Sequence, residues 1–584
     1  MTVKVASEWL NSCSGCEISI LDMGERLLDV LKVADFVHIP ALMDHKYFGQ
    51  LGDGRHIEIP EADVGLISGG IRNQEHLEVA EEMRRKCKVI IALGTCATHG
   101  GIPAMTNAYT RIEGHAAIGI ELDDGGNVRD AHLNIMSLRG FEKFVEGMPA
   151  EELPRIVSRI CGICPWMHHL AANKAVDRCL GATPPPAGHK LRELMQTIAH
   201  AEDKLLHFFF LAAADFVIGP DSDYAVRNVI GIAKANPELA QRVVKMRFLA
   251  KMILDKFSSK TIHPIAGVPG GFSKPLLEEE RLDMLAKMHE ILDFALFTIE
   301  FAKKEVFPKY LDTIQTLGVI TTGFMGTVDP QGALNLYDGK IRLMKPDGDF
   351  VAFDPQDYID FIGEHVEPTS YGKFPYARCW GEGFSLDLEN PKGVYRANTL
   401  ARINVADKIA TPRAQAELEE FRAAFGRPAQ ATLLYHYARL IEEVYACERA
   451  IEILQDSDIT DPDVRAAVEP RAGRGVGCVE APRGTLLHDY TTDENGLIVS
   501  ANMIVGTTHN LGPMNMSVNQ AARALIRNGE VTEGILNRIE LSQRPPTRRS
   551  GGLRLSFRLQ TCYFAGRWPG QGAALRCRLS VATL

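Results

Sequence analysis

A chain of 584 residues, 46% hydrophobic and 24% charged, is too long for a single core and has the composition of ordinary globular domains. Its formal charge of −10 argues against nucleic acid or an anionic membrane surface as the main partner. Twelve cysteines are too sparse for a disulfide scaffold, and several stand in Cys-x-x-Cys spacings, a pattern of metal binding in a reducing compartment.

Residues 1–109 alternate strand-like and helix-like pieces. "TVKVASEWL" reads as a strand, "EISILDMGERLLDVLKVA" as one amphipathic helix and "ADVGLISGG" as a buried strand. "NQEHLEVAEEMRRKC" then reads as a helix, and "KVIIALGTCATHGG" as a strand running into a Gly-rich loop. Such alternation predicts a parallel, doubly wound α/β sheet of flavodoxin type, with ligands beyond the carboxyl ends of its strands. Cys13, Cys16 and Cys96 all follow predicted strands, so three thiols should meet at one edge. The N-terminus shows neither a basic, then apolar, leader pattern nor a twin arginine. No run approaches the roughly 18 apolar residues of a membrane span. Residues 205–219 come nearest and are broken by Asp215, so the expectation is a cytoplasmic chain without a membrane span.

From 110 to 543 the pattern is mainly helical. "LRELMQTIAHAEDKLLHFFFLAAADFV", "LLEEERLDMLAKMHEILDFALFTIEFAKKEVF" and "QATLLYHYARLIEEVYACERAIEILQ" carry apolar residues at three- and four-residue spacing. Short strand-like pieces such as "AAIGIELDD" and "GLIVSANMIVG" surround them, giving a helical bundle with small β decorations. Residues 544–584 differ again, with eight arginines, no lysine and no carboxylate. They read either as a basic tail or as a GC-rich gene translated out of frame, and the second reading is preferred for a reason that follows.

Within the helical segment, "SRICGICPWMHH" (158–169) places Arg159, Cys161, Cys164 and His168 within a few residues. Soft thiolates three apart select zinc, iron–sulfur clusters or other late transition metals. Taken alone, such a pair is half a structural zinc site or a redox pair. In its full context it resembles the first metal motif of the large subunit of [NiFe]-hydrogenases. There one cysteine is a terminal nickel ligand and the other bridges nickel and iron, roles the resemblance gives to Cys161 and Cys164. "TRIEGHAAIGIELDDGGNV" resembles the opening of that subunit, with Glu113 as the proton-relaying carboxylate. "SLRGFE" puts Glu142 where the family helps to bind magnesium. "AHAEDKLLHFF" supplies Asp203, and "GVGCVEAPRGTLLHDY" supplies Pro482 and Arg483, which implies a canopy over the metals.

The N-terminal segment resembles the small subunit. "NSCSGCE" and "GTCATHGG" look like the motifs that hold a [4Fe–4S] cluster, through Cys13, Cys16 and Cys96, with Glu17 continuing the proton path. The resemblance therefore implies reversible oxidation of H2 to protons and electrons by a cytoplasmic hydrogenase of the methyl-viologen or F420-non-reducing group. Electrons would leave for an iron–sulfur or heterodisulfide-reductase-like acceptor protein, and an intact small subunit is a further expected partner. The departures are specific. The family's second nickel motif, Asp-Pro-Cys-x-x-Cys-x-x-His, has no counterpart after 543, nor does the histidine expected for magnesium. The match stops where that motif should begin, hence the out-of-frame reading of the tail. The small-subunit part breaks off before a fourth cysteine, and the large-subunit opening follows at 109/110 without a linker. Two other readings stand beside this one: an inactive hydrogenase-like or complex I-like scaffold, and a zinc protein using Cys161, Cys164 and His168.

Overall fold

The computed structural model describes residues 2–40, 42–43, 45, 47, 56–71, 74–101, 117–135, 140–368 and 370–542, with the backbone of Arg578 and Leu579. The N-terminal part is a four-stranded sheet of Val3–Trp9, Ala34–His38, Ala62–Ser68 and Cys87–Leu93. The strand order is second, first, third, fourth, and every pairing is parallel. β-Branched and aliphatic runs supply these strands, and the helix Gln74–Lys86 makes the crossover between the last two. Cys87–Leu93 is an edge of the sheet, with Val89 54% and Ile91 46% exposed.

Two predicted elements come out differently here. The single helix expected over 17–34 is two helices, Gly15–Leu21 and Arg26–Val33. The break falls at Gly24, which is seated against the Phe248 ring so closely that a Cβ would lie 2.7 Å from it. The loop expected after the last strand is the short helix Gly94–His99, which carries Cys96.

The rest of the described chain is built on four long helices, Pro186–Leu205, Pro237–Ser258, Glu278–Phe301 and Tyr435–Gln455. Their facing stripes bury Leu194, Ile198, Met288, Ile291, Leu440 and Val444 completely. Each such side chain contributes about 1.5–3 kcal/mol by leaving water. The first of these helices continues past Leu205 in π-helical turns over Leu206–Ala212. The wider turn spreads three consecutive phenylalanines, so that Phe209 meets Phe294 while Phe210 lies under the Arg247 guanidinium.

A hairpin of Ala117–Leu122 and Val128–Asn134 packs on the helix Leu511–Leu525, where the Leu133 N–H donates to Asn515 Oδ1 at 2.7 Å. The backbone of Arg578–Leu579 pairs antiparallel with Ile120–Glu121. The join at 109/110 and the rest of the 544–584 tail lie outside the described residues.

The element that matters most for function is the antiparallel sheet Gly473–Ala481, Gly484–Thr492 and Ile498–Ile504. Its first strand alternates glycine at 473, 475 and 477 on the face that meets the helix Pro165–Leu180. A Cβ at those positions would stand 1.9–2.2 Å from the carbonyls of Ala171, Ala175 and Cys179, so only glycine lets strand and helix touch. This contact carries the turn after Ala481 towards the start of the helix, where Cys164 sits. Among the described residues, no helix is long and apolar enough to cross a membrane.

Candidate metal centres

Cys164 is the N-cap of the helix Pro165–Leu180, with Pro165 at the first helical position, where its missing N–H costs nothing. Cys161 precedes it in extended conformation, and both thiols are buried. Their sulfurs converge to 2.8 Å, and the Cys164 N–H donates to Cys161 Sγ at 3.2 Å. No disulfide joins them, the sulfurs being further apart than the roughly 2.05 Å of that bond.

The turn between Ala481 and Gly484 supplies Pro482 and Arg483. Arg483 Nη1 donates to Asp203 Oδ2 at 2.7 Å, and both side chains are buried. Burial acts to strip the guanidinium of its charge, but Asp203, Cys164 and Cys161 outweigh it and hold its pKa above the ordinary arginine value. Arg483 Nε and Nη2, and Asp203 Oδ1, have no hydrogen-bond partner among the described residues. Spare buried donors next to two thiols are the mark of a site built around a further group.

A network the sequence reading did not find holds this turn in place. Arg402 donates to the carbonyls of Ala481 at 2.9 Å and Pro482 at 3.2 Å, and pairs with Glu442 and Glu480 at 2.6 and 3.0 Å. Lys204, next to Asp203, pairs with Glu442 at 2.8 Å and reaches the Pro482 carbonyl at 3.4 Å. Burial, only partly offset by Glu442, brings Lys204 down to about 7. Burial alone pushes the neighbouring Glu443 up to about 8 against the pull of Lys204. Buried ion pairs of this kind fix geometry more than they add stability.

His168 does not join the thiols as a third ligand. Its Nδ1 shares a 3.1 Å hydrogen bond with His488 Nε2, and His488 in turn meets the Tyr490 hydroxyl. Among the described residues, no group of three or more His, Cys, Asp or Glu forms a single-ion site, so the structure gives the zinc reading no assembled site. Glu142 is half-buried on the short helix Phe141–Phe144, electrostatically coupled to Tyr490. Glu113 lies outside the described residues.

The second thiol set lies at the carboxyl edge of the parallel sheet. Cys13 follows the first strand, Cys16 stands in the helix Gly15–Leu21, and Cys96 lies just past the last strand. Cys16 S–H donates to the Leu93 carbonyl at 3.6 Å, and burial, Glu17 and Cys96 together push its pKa up to about 12. Glu17 is buried and accepts a hydrogen bond from the Ser68 hydroxyl. Arg159, the cation of the Cys161 motif, turns towards this set. Burial lowers its pKa, while the Cys13 and Cys96 thiols act to raise it. His263, which no local motif announces, faces Cys13 Sγ with Nε2 at 3.4 Å. Burial and Arg159 bring that imidazole down to about 3. The two thiol sets share a backbone contact, since the Gly162 N–H donates to the Cys13 carbonyl at 2.8 Å.

Two soft thiolates under an inward-facing arginine fit part of a nickel–iron centre, and three cysteines at one sheet edge fit part of an iron–sulfur cluster. Comparison with known proteins points the same way. A family described as nickel-dependent hydrogenase matches residues 139–246 and 395–529, and one described as NADH ubiquinone oxidoreductase, 20 Kd subunit, matches 13–149. A vhu subunit of the F420-non-reducing hydrogenase of Methanococcus voltae is 47% identical over 419 residues, covering 72% of this chain and 97% of that one. A different subunit of the F420-non-reducing hydrogenase of Methanothermobacter marburgensis is 39% identical over 158 residues, covering 27% of this chain but 43% of that protein. The crystal structure of an NAD+-reducing [NiFe]-hydrogenase in the H2-reduced state superposes with a TM-score of 0.70 at 38% identity, covering 76% of this chain and 97% of that one. With small-subunit likeness ahead of a large-subunit match of this extent, the chain belongs to the nickel-dependent hydrogenases.

Proposed function

We propose that this chain handles H2 at Cys161 and Cys164 and passes electrons to an iron–sulfur cluster on Cys13, Cys16 and Cys96. The observation that carries the reading is the buried thiol pair, 2.8 Å apart, beside a guanidinium whose Nε and Nη2 find no hydrogen-bond partner among the described residues. Cys161 and Cys164 would hold the nickel–iron centre, which when bound supplies heterolytic cleavage of H2. The chain's own residues do the rest. Asp203 orients Arg483, and the Arg402–Glu442–Lys204 network fixes the carbonyls on either side of Pro482. Burial keeps water out, so charge placed near Arg483 interacts strongly. Glu113 is assigned the first step of the proton relay and Glu17 its continuation, with the Ser68 hydroxyl donating to the Glu17 carboxylate. Glu142 is assigned to a magnesium site. The three units of the chain are 1–109, 110–543 and the 544–584 tail. The electron acceptor is an iron–sulfur protein, and the chain works in the cytoplasm.

A second reading, an inactive scaffold, has its own observation: no Cys-x-x-Cys follows Cys164 in the sequence, so two of the family's four nickel thiolates are not supplied in their usual form. One experiment separates the two. The chain is produced with hydrogenase maturation factors, and nickel content and H2-dependent viologen reduction are measured for wild type and Cys161→Ser. The active reading expects far less than one nickel per chain, with nickel and dye reduction both lost in the variant. Nickel no higher than in Cys161→Ser and no dye reduction would establish the scaffold. Stoichiometric nickel would show that the half-site is complete after all.

A further inference from the structure

Several buried guanidinium groups in this fold sit against carboxylates: Arg192 pairs with Asp177, Arg227 with Asp215, Arg402 with Glu442 and Arg483 with Asp203. Arg396 departs from that pattern. It lies on the short strand Tyr395–Arg396, is just as buried, and bonds only to neutral acceptors. Nε donates to Thr322 Oγ1 at 2.8 Å and Nη1 to the Gln430 carbonyl at 2.9 Å. Nη2 donates to the Ile320 carbonyl at 3.2 Å and to Gln430 Oε1. The Phe324 ring, its centroid 4.6 Å from the guanidinium carbon, offers the charge a π face. Burial lowers the Arg396 pKa to about 9, and no carboxylate of the described chain opposes that fall. The group therefore stays charged at neutral pH, and a buried charge without a counter-charge is costly. A guanidinium has five N–H donors, and four are spent here, which leaves one on Nη1.

Arg396 lines a pocket of about 230 Å³ with Asn398, Thr432, Asn510, Ser517 and Ser542. The Thr432, Ser517 and Ser542 hydroxyls already donate to the carbonyls of Gly318 and Ile539. The Asn510 amide is spent on the carbonyls of Ala397, Arg483 and Gly506. Asn398 is different. Its Oδ1 caps the helix Thr399–Val405 by accepting from the Ala401 N–H at 3.0 Å, while its Nδ2 donates to no described residue. One wall thus offers a cation and an amide, each with a donor to spare, in a space too small for a nucleotide.

We propose that this pocket binds a small carboxylate monoanion of formate size, with one oxygen on Arg396 Nη1 and the other on Asn398 Nδ2. Residues 543–584, which follow Ser542 in the pocket wall, contain no Asp or Glu to take its place. The site backs on to the candidate metal centre without belonging to it. Asn510 donates to the Arg483 carbonyl at 3.0 Å, and the helix that Asn398 caps carries Arg402. An anion held here braces from behind the turn that presents Arg483. Nothing in this site depends on nickel or on H2.

The test uses the full chain in a buffer whose only other anion is a bulky sulfonate, with sodium formate exchanged for it at constant ionic strength. Thermal midpoints are measured for wild type, Arg396→Met and Asn398→Asp. The expected result is a wild-type midpoint that rises with formate and then levels off, with no such rise in either variant. Asn398→Asp keeps the capping oxygen and sets a carboxylate beside Arg396, so without formate it should melt above wild type. A wild-type midpoint that stays put, or drifts without levelling off, would overturn the proposal. A saturable rise of wild-type size in either variant would overturn it too, because the anion would then sit elsewhere. Should Arg396→Met fail to fold, Asn398→Asp decides alone: loss of the formate response supports the site, and its persistence removes it.

Discussion

Gly162 is where the two thiol sets touch, and replacing it with alanine tests that contact directly. A Cβ built there lies 2.5 Å from the Cys13 carbonyl oxygen, 2.5 Å from the Gly15 nitrogen and 2.7 Å from the Gly15 Cα. Ordinary contact begins at 3.4 Å, so the cluster loop has to retreat by most of an ångström. All three obstructing atoms are backbone, so no side chain can swing aside. The 2.8 Å bond from the Gly162 N–H to the Cys13 carbonyl then stretches beyond useful length. Losing it costs about 0.5–1.5 kcal/mol, and overpacking adds about 1–3 kcal/mol, so Gly162→Ala should destabilise by roughly 2–4 kcal/mol. Urea denaturation gives the total, and hydrogen–deuterium exchange of the peptide spanning 158–166 gives the local effect. Faster exchange there, together with faster alkylation of Cys13 and Cys16, is the expected result. Unchanged stability with an unchanged exchange rate at Gly162 would refute the close approach.

Arg483→Met strands the buried Asp203 carboxylate and should cost about 3–5 kcal/mol, and Arg483→Met with Asp203→Leu should recover much of that loss in urea denaturation. Arg402→Met should destabilise more than Lys204→Met, because Glu442 keeps two bonds from Arg402 at 2.6 and 2.8 Å when Lys204 is gone; thermal midpoints of the two variants check the order. Glu443 is raised from the usual 4.5 to about 8, so between those pH values the folded chain holds a proton that the unfolded chain has lost. Stability from this group therefore falls as pH rises across that window, by up to about 1.4 kcal/mol per unit. Glu443→Gln should flatten the fall, and thermal midpoints at pH 5 and 7.5 for both proteins measure it.

The sequence reading found what is local and missed what is distant. Cys13, Cys16 and Cys96 could be placed at one sheet edge because the strand–helix alternation sets where strand ends lie. The spacing of Cys161 and Cys164 marked a thiol pair but not its metal, which the resemblance of the whole motif to a known family suggested, as the order of the motifs suggested Asp203 and Arg483. Arg159 was readable as a fixed cation but not as one turned towards Cys13 and Cys96, since direction depends on packing between parts. His263 stands 250 residues from Cys13, and no period or motif connects them. The hold of Arg402, Glu442 and Lys204 on the Pro482 turn likewise joins three separate helices to a hairpin. One signal was available and unused: the alternating glycines of "GRGVG" mark a strand face that something must touch closely. The break at Gly24 had no such signal, because the Phe248 ring that seats it comes from a distant helix.

The outer strand Cys87–Leu93 bears on how the protein behaves in a tube. Among the described residues no further strand pairs with its outer edge, which runs alongside exposed Val89 and Ile91, and Lys88 is the charge beside them. Strand edges of this kind recruit other strands, and a lone lysine is a thin guard against it. Self-association of the purified chain should thus rise with concentration and persist in high salt, because backbone pairing and apolar contact, rather than charge, would drive it. Dilution, or a second lysine at Val89, is the practical remedy.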